Sequence, residues 1–154
     1  MLDYVYGHDK TVAQFVSDML PDEQGRFGKC KAIGVVNGKG HLIAGVVYHD
    51  WRPNAGVISI SAAALPGSHW LTRETIRHMY EYPFERVGLQ MVMHFVAADN
   101  ERLLRILAAA GMMFVRLPRV LGRDRDGVLC LFTRETWDQC RFNRRSVIKQ
   151  KEAA

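Results

Sequence analysis

Apolar positions recur along the chain in two rhythms. Val12, Phe15, Val16 and Met19 fall at helical spacing and predict an amphipathic helix over Thr11 to Leu20, stopped by Pro21. Leu2 to Tyr6 reads as a short strand before it, and the polar, Gly-containing stretch Asp22 to Lys29 as a loop after it. The rhythm then shortens. Cys30 to Asn37 and Leu42 to Tyr48 are rich in Ile and Val and flank Gly38-Lys39-Gly40, the pattern of a hairpin. Trp51 to Asn54 reads as a second turn, and Val57 to Ala64 as a third strand of the meander, with Ser59 and Ser61 on one face and Ile58 and Ile60 on the other.

Pro66-Gly67-Ser68 breaks that strand. Ile76, Met79 and Tyr80 give a helix over Thr72 to Tyr82, which Pro83 ends or kinks. Leu89 to Ala97 is apolar on both faces, as an interior strand would be. Asn100 and Gly111 bracket a helix over Glu101 to Ala110. Met112 to Val120, a turn at Arg123 to Gly127 and Val128 to Thr133 make a closing hairpin. The order is strand, helix, three-strand meander, helix, strand, helix, hairpin. That predicts a mixed α/β chain, antiparallel at both ends, with a right-handed parallel crossover in the middle.

Composition narrows the class. The chain has 154 residues, 48% hydrophobic and 24% charged, which suits one globular domain and excludes a disordered chain, a collagen or a coiled coil. Arg105 and Gly111 interrupt the longest apolar stretch, so no membrane association is expected. The opening MLDYVYGHDK carries acids and has no apolar run, unlike a signal peptide. Cys30, Cys130 and Cys140 form no C-x-x-C pair and read as reduced thiols of a cytoplasmic protein.

The charge is uneven. Residues 141–154 hold Arg141, Arg144, Arg145, Lys149 and Lys151 against Glu152, which is four of the chain's five net positive charges. The organisation expected is a single domain over 1–140 and a basic tail over 141–154. The tail reads as a solvated segment; with Phe142 as its one aromatic it lacks the stacking platform of a nucleic-acid binder, although nucleic acid stays open as a partner through it.

Residues 67–113, together with the closing hairpin, resemble the GNAT superfamily of N-acetyltransferases, most closely the branch containing the ribosomal-protein alanine acetyltransferases. The features carrying the resemblance are the loop Pro66 to Trp70, Tyr82-Pro83-Phe84, Val87-Gly88-Leu89, Asn100 opening a helix, Gly111-Met112, and Arg123 to Gly127 followed by VLCLFTRETW. The resemblance implies an acyl-CoA N-acyltransferase-like fold: a central, mostly antiparallel sheet of about six or seven strands with one parallel, splayed pair, flanked by helices. It implies acetyl-CoA as co-substrate, an amine as acceptor, and a homodimer as an oligomer to expect.

Helix N-terminal amides and Gly-rich turns favour anions, so the resemblance puts the diphosphate at Gly67, Ser68, His69, Trp70, Leu71 and Thr72. This loop departs from the family pattern, with one Gly and with Trp70 near the place of a small residue. The other reading is a plain turn plus helix cap. The resemblance assigns the pantetheine arm to the strand edge at Ala62, Ala63 and Ala64, and to Asn100, which could equally be a helix cap. The family's Tyr general acid would stand near Leu107, where no Tyr occurs.

Direct attack by an amine needs a base, and imidazole has a suitable pKa, which makes His94 and His49 the catalytic candidates. Asp50 follows His49, and Ser59 and Ser61 could line the acceptor side. No G-x-S-x-G elbow occurs, which argues against a serine hydrolase. The histidines fall at no ligand spacing, so no metal is expected. The resulting expectation is an acetyl-CoA-dependent N-acetyltransferase. The competing readings are an inactive binding or scaffold module on the same fold, and a nucleic-acid-associated protein.

Overall fold

The structure, a computed structural model, describes residues 1–20 and 27–143. The expected tail therefore lies mostly outside the described residues, as does most of the expected loop over Asp22 to Lys29. Two compact units meet in sequence at Thr75 and Ile76, and each is described by itself.

In the first unit the strands are β1 (Asp3–Tyr6), β2 (Lys31–Val36), β3 (Leu42–Arg52) and β4 (Val57–Ala64), paired antiparallel in that order. Helix α1 (Asp9–Met19) lies on one face. The register explains the close fit: Val5, Gly34, Gly45 and Ala63 stand in one cross-strand row. A Cβ on Gly45 would come within 2.7 Å of both Val12 and Val16, so two glycines make the groove in which α1 rests. Val12 and Val16 are fully buried there with Ala32 and Val47, each worth about 1.5–3 kcal/mol of transfer free energy. Asp9 pins the start of α1, accepting the Ala32 N–H at 2.8 Å. The opposite row, Tyr4, Val35, Ala44 and Ala64, carries a second apolar cluster with Leu2, Ile43 and Trp70.

The β2–β3 turn is the expected one. The Asn37 side-chain oxygen accepts the N–H groups of Lys39 and His41, both at 3.0 Å, and Gly40 takes φ +78°. The β3–β4 turn differs. Trp51 and Arg52 are still strand, the register is irregular between His49 and Arg52, and the reversal comes at Pro53–Gly56. Pro53 at the corner, not Trp51 and Arg52 before it, sets the turn, because Pro lacks the N–H a ladder needs.

In the second unit β5 (Met91–Ala97) and β6 (Met113–Gly122) both pair antiparallel with β7 (Arg125–Thr133). The strand β5 is buried at alternate positions, Val92, His94 and Val96, rather than on both faces as its composition suggested. β7 begins three residues earlier than the apolar run does, because Asp126 is held by the Arg119 N–H at 2.8 Å and the Arg116 guanidinium at 2.9 Å. Those hydrogen bonds, the backbone one first, keep the Asp126 carboxyl below its usual pKa.

Helix α2 (Arg73–Glu81) runs into a single π-turn at Tyr82–Arg86, where Pro83 cannot continue the α-helical ladder. Helix α3 is Glu101–Ala109, and α4 is Arg134–Gln139, capped by Thr133. Tyr80, Phe84, Phe132 and Trp137 form a buried aromatic box; Tyr80 meets Phe132 edge to face at 4.8 Å and Phe132 meets Trp137 at 6.0 Å. The Arg134 guanidinium donates to the Phe84 carbonyl and ties α4 to the π-turn. Among the described residues no helix is long and apolar enough to cross a membrane.

Candidate active site

The loop after β4 is built as a tight turn. Pro66 sits at its first corner and Gly67 at its second with φ +76°, and the Ser68 N–H returns to the Leu65 carbonyl at 3.1 Å. This is type II geometry, which demands a positive φ at the second corner and so selects Gly. The Ser68 hydroxyl donates to the same carbonyl at 2.7 Å. Nothing lies within 4 Å of a Cβ built on Gly67, so the backbone there is openly approachable.

From Trp70 onward the loop turns inward. Trp70 is half-buried on Val35, Ile43 and Ala44. Thr72 caps α2 by accepting the Thr75 N–H at 3.1 Å. Buried Thr75 donates its hydroxyl to the Trp70 carbonyl at 2.5 Å and stands 2.8 Å from the Tyr4 hydroxyl. With its one proton given to Trp70, Thr75 Oγ1 is the acceptor for Tyr4. Ser68, Trp70 and Thr72 thus have structural partners. What faces outward is the Gly67 corner, exposed His69 and Arg73, and the first-turn amides of α2 at Arg73 and Glu74, which have no intrahelical partner. This set fits a diphosphate through backbone amides plus one guanidinium.

Ala62, Ala63 and Ala64 are half-buried on β4. Ala63 packs on the α1 side and Ala64 on the Trp70 side, as alternation requires.

The two candidate bases differ sharply. His94, in the second unit, is 7% exposed, and its Nε2 lies 2.7 Å from the Tyr80 hydroxyl. Burial pushes its pKa down to about 4 and pushes that of Tyr80 up. This is a neutral core dyad. His49, in the first unit, has a side chain 15% exposed and two polar partners: Nδ1 lies 2.9 Å from Asp50 Oδ2 and Nε2 lies 2.8 Å from Ser61 Oγ. The Phe27 ring covers the imidazole at a centroid distance of 4.9 Å.

Asn100 caps α3, accepting the Leu103 N–H at 3.3 Å. Leu107, where the resemblance would have an acid, is buried.

Ser61 and Asp50 as partners of His49 are the residues the sequence reading did not join. The signal was present in part: Ser61 shares a face with Ser59, and His49 ends the apolar run of the neighbouring strand. The pairing of Val47 with Ser61, and of His49 with Ser59, supplies the rest.

The fold is shared with solved N-acetyltransferases. A spermidine/spermine N-acetyltransferase SpeG of Vibrio cholerae aligns at TM-score 0.73 and 12% identity, covering 90% of this chain and 98% of that one. A dodecameric structure of the same organism's spermidine N-acetyltransferase gives 0.72 at 13% identity, covering 88% and 95%. A complex of that enzyme with CoA and spermine gives 0.70 at 12% identity, covering 88% and 97%. Neither a scan against family models nor a search of curated proteins finds a match. The structural likeness shows the fold: a mixed α/β chain of seven strands with flanking helices, the acyl-CoA N-acyltransferase-like fold that the sequence resembles.

Proposed function

We propose that the protein is an acetyl-CoA-dependent N-acetyltransferase acting on an amine of a protein, peptide or small molecule, with residues 1–140 as its catalytic domain. The observation that carries the reading is the fold likeness across nine-tenths of the chain to N-acetyltransferases, one of them solved with CoA and spermine. The loop supports it. The Gly67 corner, the amides of Arg73 and Glu74, the Arg73 guanidinium and His69 would hold the diphosphate, and Ala62, Ala63 and Ala64 the pantetheine arm. Acetyl-CoA, when bound, supplies an acyl group activated as a thioester.

An amine reaches the site as an ammonium ion and must lose a proton before its lone pair can attack. His49 is the base this reading assigns. Its Nδ1 faces a carboxylate, which as an anion only accepts, so Nδ1 carries the proton and Nε2 is left basic. His94, sealed against Tyr80, is assigned to the core. The same reading places the protein in the cytoplasm with its three cysteines free, and expects self-association, a homodimer or a larger assembly.

A second reading, a CoA-binding module without turnover, is favoured by Leu107 in the place of a general acid. The nucleic-acid reading rests on a tail whose residues 144–154 lie outside the described ones; of the rest, the Arg141 guanidinium sits 5.0 Å over the Phe142 ring. Thiol release from acetyl-CoA across an acceptor panel of spermidine, lysine peptides and peptides with free N-terminal alanine separates these readings. Amine-dependent thiol release is expected. Binding without release supports the module, and neither binding nor release rejects both.

A further inference from the structure

We infer that the outer edge of β6 is a self-association surface: two copies of the chain pair their β6 strands antiparallel over residues 113–117, with Val115 meeting its own copy on a two-fold axis. This names a surface for the self-association that the acyltransferase reading expects, but it stands on the strand itself and is tested by association, not by turnover.

β6 pairs with β7 and, among the described residues, with no other strand, so one side of its backbone has no ladder partner. Such an edge is a template for a further strand. Its side chains are as open as its backbone: Met113, Phe114 and Val115 are 63%, 38% and 42% exposed. Successive residues point to opposite faces, so apolar surface is left on both faces at this edge. The devices that block an edge lie further along the strand. Pro118 has no N–H to donate, Arg119 takes φ +62°, and the register with β7 breaks between Leu117 and Gly122. They close the edge beyond residue 117 and leave 113–117, whose register with β7 is unbroken, open to a partner.

This stretch is self-complementary when antiparallel. Centring the two-fold on Val115 sets Met113 opposite Leu117 of the second copy and Phe114 opposite Arg116. The Arg116 charge is already balanced within its own chain, Nη2 lying 2.8 Å from Asp126 Oδ2, so the guanidinium lies against the Phe114 ring without bringing an uncompensated charge to the seam. Centring on Arg116 would oppose two guanidiniums, and like charges directly opposite are destabilising. Centring on Phe114 would set Leu117 opposite Gly111, outside the strand. A surface that meets itself about a two-fold closes at two copies, whereas pairing of β6 with any other edge of a second copy would be head-to-tail and would propagate.

The test is association of the full chain, read by sedimentation equilibrium over a concentration series. Wild type is expected as a monomer–dimer equilibrium with no larger species. Val115→Lys opposes two ammonium groups at the axis and should weaken the dimer about tenfold or more. Val115→Asp should do the same, and an equal mixture of the two variants should restore the dimer, which requires both chains to be folded and position 115 to face itself. A disulfide reads the register. In a Cys30→Ser background, where the remaining thiols Cys130 and Cys140 are buried, Val115→Cys should link two chains on mild oxidation, because directly opposed residues lie about 4.5–5.5 Å apart between Cα atoms. Val120→Cys is the control: Val120 is 49% exposed but would stand about 30 Å from its copy, and should not link. A wild-type monomer at every concentration, growth beyond the dimer, an undiminished dimer in Val115→Lys, or equal linking through Val120→Cys overturns the inference. Amine-dependent thiol release is a separate readout: its absence beside a β6 dimer would reject the acyltransferase reading alone, and a monomer that turns over would reject the dimer alone.

Discussion

Nε2 of His94 lies 2.7 Å from the hydroxyl of Tyr80, inside a box of aromatic rings. The pair has a consequence for stability. Burial lowers the His94 pKa from 6.5 to about 4, so the unfolded chain binds a proton that the folded chain refuses over that interval. Stability therefore falls as pH drops from about 6.5 and levels off below about 4, a loss of about 3 kcal/mol from this residue. Urea unfolding across pH should show the slope, and His94→Gln, which cannot titrate, should flatten it. An unchanged slope in that variant would move the effect to other groups.

The groove under α1 predicts a steric penalty. A methyl at position 45 would stand 2.7 Å from Val12 Cγ1 and Val16 Cγ2, and valine in a helix is stiff at χ1. Gly45→Ala should cost about 1–3 kcal/mol in urea unfolding. Adding Val12→Ala should recover part of it, giving a non-additive double-mutant cycle; strict additivity would mean the two residues do not meet.

The Thr75 hydroxyl is one of the ties that hold the turn before α2. Thr75→Val removes the donor to the Trp70 carbonyl and the acceptor for Tyr4, and a buried orphaned polar group costs about 1–3 kcal/mol. Thr75→Ser keeps the hydroxyl and should lose far less. A Thr75→Val variant as stable as wild type, read by thermal unfolding, would mean that the hydroxyl's two hydrogen bonds add nothing net.

Asn100 has one visible duty and one proposed. Asn100→Ala should lower stability by about 1 kcal/mol through the lost cap, and Asn100→Asp should restore it. If Asn100 also holds the cofactor arm, acetyl-CoA affinity will stay reduced in Asn100→Asp after stability has recovered. Full recovery of affinity would leave it a cap alone.

Much of the fold was legible because its elements follow periodicity. Val12, Phe15, Val16 and Met19 could only share a face as a helix, and the alternating valines and isoleucines of β2 and β3 could only do so as strands. What the sequence concealed was register. Trp51 and Arg52 read as turn residues, so the strand seemed to end at Tyr48, and the irregular backbone that swings Asp50 onto His49 had no local signature. The surroundings of His94 were equally hidden: a histidine on an apolar strand has the right chemistry for a base, but the Tyr80 hydroxyl that meets it comes from another element of the chain. The loop was legible as a turn through Pro66 and Gly67. That Trp70 packs on the sheet while the Gly67 corner faces outward could not be read from its residues in order.

The account depends most on that corner and the α2 amides beside it holding a diphosphate. Calorimetric titration of acetyl-CoA into the wild-type protein and into Gly67→Val tests it directly, since valine resists the left-handed corner at φ +76°. Saturable binding by wild type, lost or at least tenfold weaker in a variant that still unfolds cooperatively, is the predicted result. Absence of binding by wild type, or equal affinity in both proteins, would contradict it.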